Sequence, residues 1–303
     1  MTKTPDVSRP LKIVRVIARL NIGGPARHVI YLAEKMNHGS FRTVLVKGAE
    51  SKTEGTMEDI SKARGVGCLF IPKLGREIRA SDDWGAFREL LRLLRNERPD
   101  ILHTHTAKAG ALGRLAGWIY RWTTPGGRDL KIFHTFHGHV LQGYFSPLKT
   151  QFFRWVERLL ALISTRVITL SEGLRDELVS FGIAPREKIQ VVSLGLELGE
   201  FLDIGNKNGD DGLLRHSCKI PPEAFVVGIV GRLVPIKDHQ TLFEAARLLI
   251  SEGMDLHLLI VGDGELRSPL ERQALEMLPE DRAHFTGWRF DLSRVYRDVD
   301  LVV

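Results

Sequence analysis

The sequence predicts an α/β protein of two domains, each a mostly parallel sheet covered by helices. Three observations carry this reading. Short runs rich in Val, Ile and Leu alternate along the chain with helical patterns, the signature of buried parallel strands joined by crossover helices. One stretch, Phe225 to Asp238, joins an apolar strand to Gly231, to a loop carrying Arg232 and Lys237, and to a helix from His239. Strand, glycine, loop and helix is where open α/β sheets bind ligands. A polar segment from Gly205 to Gly212 divides the 303 residues into parts of ordinary domain size. The boundaries expected are 1–204, a linker over 205–219, and 220–303.

The elements follow in order. Leu11 to Ala18 is a strand, Asn21-Ile22-Gly23-Gly24-Pro25 a tight turn, and the chain is helical to Met36, with Pro25 suited to the first helical position. Phe41–Val46 and Cys68–Ile71 are strands, separated by a polar loop and a short helix over 57–64. Phe87, Leu90, Leu91 and Leu94 give the helix over 82–96 a buried stripe. A strand from Pro99 ends at His103-Thr104-His105-Thr106, and small residues between Ala107 and Tyr120 let the next helix pack closely on the sheet. Leu130–Thr135 is a strand running into Phe136-His137-Gly138-His139. Leu148–Ile163 is an amphipathic helix with Leu148, Phe152, Trp155, Val156, Leu159, Leu160 and Ile163 on one face; it is read as covering the sheet, the alternative being a basic face on a bilayer. Arg166–Leu170 and Glu187–Val192 are strands around a helix capped by Ser171. Beyond the linker, Leu256–Val261 runs into Gly262-Asp263-Gly264; a helix over 268–278, a short strand from His284 into Arg289, a helix over 292–297 and a strand from Asp300 complete the chain.

Composition excludes several classes. At 43% hydrophobic and 26% charged the chain is a globular protein, and its net charge of +6 suits anionic ligands or an anionic membrane surface. No nucleic-acid motif is present, so nucleic acid is not an expected partner. Residues 1–10 lack the apolar core of a signal peptide, and no run approaches the ~20 apolar residues of a membrane span. Cys68 and Cys218 match no metal spacing and read as free thiols of a reducing compartment. A cytoplasmic protein, in part peripheral on the inner face of the plasma membrane, is expected. Aromatics and cations between Trp118 and Lys131 suit a lipid boundary or a loop with packed aromatics.

Arginine offers a planar fork of donors and lysine a point charge; beside a helix start, the pair of Arg232 and Lys237 suits a diphosphate. Solvated loop cations are the other reading of the same spacing. His103 and His105, two apart, share one side of a strand, but a third metal ligand is not evident, and no metal or other cofactor is expected.

Gly231-Arg232-Leu233, three residues and Lys237 resemble the diphosphate motif of the retaining glycosyltransferases of family 4, which have the GT-B fold. The resemblance implies two Rossmann-like domains facing a cleft, with Arg232 and Lys237 on the diphosphate of a nucleotide-sugar. The Gly23-Gly24 loop is similar to the family's donor-facing loop, although Pro25 stands where a small or acidic residue is usual. Phe136-His137-Gly138 resembles its Thr-x-His-Gly edge, which puts His137 on the donor sugar; His134 and His139 lie close enough in sequence to be confused with it. His105 falls on the acceptor side. Gly231, Gly262, Asp263 and Gly264 then let the nucleotide approach the backbone, and the base lies near Arg289. The turn Gly195-Leu196-Glu197 differs from the family's usual Asn-Gly-x-Asp. The implied activity moves a sugar, from UDP more often than GDP, to a saccharide or lipid-linked acceptor in cell-surface polysaccharide synthesis, with the nucleotide-sugar as co-substrate. The chain stops at Val303, before the family's Glu-x7-Glu segment. An incomplete second domain is therefore expected, with an inactive or weakly nucleotide-binding fragment as the alternative and a sugar-nucleotide epimerase as a further one.

Overall fold

The computed structural model describes residues 9–50, 55–75, 77–138, 146–202 and 212–303. Arg76, His139, Tyr144, Phe145 and positions 205–211 of the expected linker lie outside them. The chain divides into two units, Met1–Gly195 and Leu196–Val303.

The first unit contains β1 (Leu11–Ile17), α1 (Gly24–Lys35), β2 (Phe41–Lys47), α2 (Glu58–Ala63), β3 (Cys68–Phe70), α3 (Ala80–Glu97), β4 (Ile101–His105), α4 (Ala107–Thr123), β5 (Lys131–Phe136), α5 (Pro147–Ile163), β6 (Arg166–Thr169), α6 (Glu172–Ser180) and β7 (Ile189–Val191). Its sheet has the order β3-β2-β1-β4-β5-β6-β7 and is parallel throughout. Because side chains alternate along a strand, β1 feeds two cores. Val14 and Val16 join Leu102, Ile132 and the Phe87-Leu90-Leu94 stripe of α3. Ile17 joins Ala26, Val29 and Ile30 of α1 on the opposite face. α4 lies close on the sheet, as its small residues require: a Cβ on Gly117 would stand 2.6 Å from a Leu102 methyl. The order reverses between β1 and β4, so the loops leaving these two strands flank the switch point of the sheet.

The second unit contains α7 (Gly199–Leu202), α8 (Leu213–Ser217), β8 (Phe225–Val230), α9 (His239–Ser251), β9 (Leu256–Val261), α10 (Arg267–Met277), β10 (Ala283–Gly287), α11 (Leu292–Arg297) and β11 (Leu301–Val302). Among the described residues its sheet is four-stranded and parallel, in the order β10-β9-β8-β11. β8 has β9 on one side and β11 on the other, which puts the end of β8 at this unit's switch point. α8 falls inside the stretch expected to be linker, yet Leu214 is buried in the second unit's core and Asp298 accepts bonds from the Gly212, Leu214 and Arg215 amides.

α5 departs from expectation. The stripe read as covering the sheet is largely open to solvent: Leu148 is 86% exposed, Phe152 59%, Trp155 55% and Leu159 45%. Of that stripe Leu160 is buried, and the face turned inward adds Ala161 and Glu157 to it. Glu157 reaches the Arg114 guanidinium of α4 at 2.7 Å, and that side chain is fully buried. A buried pair holds the α5 helix at this angle, so its apolar stripe lies off the sheet. Tyr120, grouped above with surface aromatics, belongs to the core, and Arg121 spends its donors on the Leu130 and Ile163 carbonyls and on Thr165.

Removing one member of such a pair strands the other as an unpaired buried charge, at a cost of about 3–5 kcal/mol, whereas replacing both by apolar groups is close to neutral. Glu157→Leu is therefore expected to lower the urea midpoint strongly, and Arg114→Met in the same chain to restore most of it. Equal losses in the single and double variants would contradict the pairing.

Candidate functional site

Polar side chains gather at the carboxyl edge of each sheet. In the first unit β1, β4 and β5 pair in register, Ile17 opposite His105 and His105 opposite Thr135, with Arg15, His103 and Phe133 one level deeper. Arg15 faces the α1 side of β1, flanked by Val14 and Val16, and is 1% exposed. Its Nη1 donates to Nδ1 of His103 at 2.7 Å, and among the described residues it has no carboxylate partner. Burial pushes its pKa down to about 10, which still leaves it a cation at neutral pH. Nε2 of His103 faces the Thr135 hydroxyl at 2.8 Å.

The rings of His105 and His103 lie on one side of β4, as their spacing predicts, with centroids 4.1 Å apart and planes tilted by 39°. Nδ1 of His105 lies 3.0 Å from Nε2 of His137, which stands just past β5. His28, on the second turn of α1 behind the Gly23-Gly24 loop, meets the His137 ring edge-on at 5.4 Å. The structure thus brings the Gly-Gly loop, the end of β4 and the end of β5 together. Among the described residues no side chain caps α1, and no described atom lies within 4 Å of the Cβ position of Gly24. Thr106, directly after His105, has a φ of 66°, a strained conformation for a β-branched residue, and its hydroxyl accepts from the Ala18 amide across the switch point.

His105 was expected to face the acceptor, but it is 0% exposed, so its ring reaches a ligand only through His137. His134, adjacent in sequence, points to the other side of β5, bonds the Thr104 hydroxyl and packs over Gly110 of α4; it is structural. Arg15 and His28 were not singled out from the sequence. A lone arginine inside Leu-Lys-Ile-Val-Arg-Val-Ile was the visible signal for the first; the second carried none.

Desolvation, and after it the Arg15 charge, pushes the His28 pKa down to about 4. Desolvation, and after it His28, pushes His137 down to about 4 as well. Burial holds His103 and His105 well below the ordinary value. All four are neutral at pH 7. Among the described residues no group of three or more His, Cys, Asp or Glu is placed to hold a metal ion.

In the second unit the loops leaving β8, β9 and β10 are laced by main-chain bonds: Gly231 N to Val261 O, Leu233 N to Asp263 O, and Gly262 N to Gly287 O. Gly262 has a φ of 140°, and a Cβ there would meet the Gly231 carbonyl oxygen at 1.8 Å; on Gly264 it would meet that of Leu233 at 2.5 Å. The two glycines therefore admit the neighbouring loop, where the sequence reading had them admit a nucleotide. Asp263 bonds the Gly264 amide. Arg289, expected near a base, is held by both carboxylate oxygens of Asp291 at 2.9 and 2.5 Å.

Arg232 and Lys237 differ from these. Lys237 closes a 3-10 turn over Pro235–Lys237 and lays its stem along Gly231, where a Cβ would come within 3.3 Å of its Cε. Arg232 is half-buried and the Lys237 side chain exposed. Among the described residues neither makes a side-chain hydrogen bond or ion pair. Two cations that pair with no carboxylate among the described residues thus sit at the switch point, before α9. Asp238, ahead of that helix, accepts from the Thr241 hydroxyl and caps no amide.

Comparison with known proteins gives matches along nearly the whole chain. Residues 22–200 match the family model Glycosyltransferase Family 4, and residues 212–303 match Glycosyl transferases group 1. The UDP-Gal:alpha-D-GlcNAc-diphosphoundecaprenol alpha-1,3-galactosyltransferase of Escherichia coli is 30% identical over 241 residues, 78% of this chain and 60% of its own length. Among solved structures, a glycosyltransferase from Rickettsia africae ESF-5 superposes with a TM-score of 0.72 at 16% identity, covering 97% of this chain and 72% of that one. A UDP-N-acetylglucosamine 2-epimerase from Rickettsia bellii does so at 0.59 and 15%, covering 97% and 74%. These structures share the fold, two Rossmann-like units of the GT-B kind. The chain spans less than two thirds of the length of the curated relative.

Histidines that stay neutral in the folded chain, while those of the unfolded chain take up protons below pH 6.5, make stability fall with acid. The contribution is full above pH 6.5 and is lost as pH drops toward 4, by about 1.4 kcal/mol per pH unit for each such histidine. The urea midpoint is expected to drop steeply over this window and less steeply in His28→Leu. A flat midpoint would contradict the buried histidine layer.

Proposed function

This chain belongs to glycosyltransferase family 4, and we propose that it transfers a sugar from a nucleotide-sugar to a saccharide or lipid-linked saccharide with retention of anomeric configuration. The observation that carries the reading is the pair Arg232 and Lys237 at the end of β8, which among the described residues make no ion pair. A diphosphate supplies the charge they lack, by charge-assisted bonds to the arginine fork and the lysine point charge. In transfer, the bond from the anomeric carbon to the β-phosphate oxygen breaks. The acceptor hydroxyl bonds to that carbon on the same face, and its proton passes to the departing diphosphate. Negative charge grows on the leaving group, and fixed cations stabilise it there more than in the ground state. His137, neutral, is proposed to hold a hydroxyl of the donor sugar. The reading assigns charge stabilisation to side chains and uses no metal. The name of the Escherichia coli relative supports a UDP-sugar donor and a lipid-diphosphate-linked acceptor.

Each charge-assisted contact to a phosphate is worth about 1.5–3 kcal/mol, on the order of tenfold to a hundredfold in rate. Assayed with UDP- and GDP-sugars and a lipid-diphosphate-linked N-acetylglucosamine, Arg232→Ala and Lys237→Ala are each expected to lose turnover on that scale. Unchanged kinetics in both would sink the assignment.

We also propose that the first unit rests on an anionic lipid surface, in keeping with a lipid-linked acceptor on the cytoplasmic leaflet. No helix among the described residues is long and apolar enough to cross a membrane. The exposed stripe of α5 lies beside α4, whose Trp118 and Trp122 are also exposed, and Arg128 sits over the Trp122 ring at 5.1 Å. Exposed Lys149 and Lys131 supply further charge of the matching sign. Apolar insertion with cations at the headgroups is the arrangement of interfacial helices. Sedimentation with vesicles containing phosphatidylglycerol is expected to show binding that weakens with salt and drops in Phe152→Ser/Trp155→Ser. Binding equal on neutral vesicles would contradict it.

A further inference from the structure

Behind His137 lie two buried histidines, His105 and His103, and the Arg15 side chain. Arg15 is buried, cationic and without a carboxylate partner among the described residues. An arginine only donates, so Nδ1 of His103 must be bare and its proton must sit on Nε2, toward the Thr135 hydroxyl. The buried cation thus faces a lone pair and the imidazole proton points away from it.

The next link is the 3.0 Å contact between Nδ1 of His105 and Nε2 of His137. Both rings are neutral, so one nitrogen of the contact carries the proton and the other accepts. If His137 donates, the proton of His105 sits on Nε2, a buried atom with no hydrogen-bond partner among the described residues. That leaves an orphaned N–H in a region already holding an uncompensated cation, and orphaned buried N–H groups are the rarer kind of defect. If His105 donates, the orphaned nitrogen is a lone pair, which the field of Arg15 favours. Arg15 lies at the level of His103, one strand pair deeper than His105, and His137 lies beyond. Both links then run the same way, with lone pairs inward and protons outward.

We propose that His105 is a positioning residue: its Nδ1–H donates to Nε2 of His137 and holds that ring as the Nδ1–H tautomer. His137 then offers a ligand one group, a hydrogen-bond donor, and the ligand chemistry it selects is an acceptor oxygen such as a sugar hydroxyl or a phosphate oxygen. The low proton affinity of the layer keeps this state unchanged across neutral pH. The last step rests on the proposed function; the tautomer does not.

The test is nitrogen–proton correlation NMR on the full chain labelled with ¹⁵N-histidine, which separates protonated from bare ring nitrogens. His137 is expected to show a protonated Nδ1 and a bare Nε2, identified by its loss in His137→Ala. His105→Phe, which removes the donor, is expected to leave His137 a tautomer mixture and to lower kcat by roughly tenfold, the worth of one hydrogen bond. His105→Asn, whose amide can donate from the Nδ1 position, is expected to restore both. A protonated Nε2 on His137 in the native chain overturns the inference whatever the activity, as does an unchanged tautomer in His105→Phe. The predicted tautomer in a chain that transfers no sugar from any donor leaves the inference standing and removes the proposed function instead.

Discussion

A parallel sheet covered on both faces leaves its polar chemistry one outlet, the carboxyl edge of its strands. Everything else in this chain follows from that constraint. The strands are apolar because both faces are packed, and the crossover helices return every loop to the same edge. At the switch point neighbouring loops diverge, and ligand-binding groups have room there. Gly23 and Gly24 follow β1, His105 ends β4, His137 follows β5 and Arg232 follows β8. All stand at such an edge because the topology leaves no other place for them.

The two units use this edge in opposite ways. The first buries its polar groups. Arg15, His103 and His105 lie within the sheet layer, and their environment keeps the imidazoles neutral. Hydrogen-bond direction is what they contribute. The second unit exposes its polar groups. Its loops are fixed by main-chain bonds and by glycines that admit a neighbouring backbone, so Arg232 and Lys237 are held on a rigid base, with no anion paired to them among the described residues. A neutral donor suits a sugar hydroxyl, and unmatched cations suit a diphosphate.

Periodicity made the fold legible. The run Phe225–Val230 and the spacing of Phe87, Leu90 and Leu94 follow directly from the requirement that buried faces be apolar, and strand and helix bounds agree with the structure to a few residues. What failed were inferences about which way a face turns. α5 has an apolar stripe, but a buried ion pair from Glu157 to Arg114 decides its rotation, and a pair 43 residues apart leaves no periodic trace. The glycines after β9 were read as room for a ligand because sequence shows the absence of a side chain and not what fills the space. Arg289 suits a ligand contact by its place in the sequence, but Asp291, two residues on, takes its donors. His28 joins the site because α1, packed on β1 and β2, sets its ring beside those of His105 and His137.

The central claim is that the loop from Gly231 to Asp238 receives a nucleoside diphosphate through Arg232 and Lys237. Hydrogen-exchange mass spectrometry of the chain with and without UDP reads this at the level of peptides. The account predicts slowed exchange in the peptide spanning Val230 to Asp238, abolished when Arg232 and Lys237 are both replaced by alanine. Protection confined to other segments, or undiminished in the double variant, would contradict it.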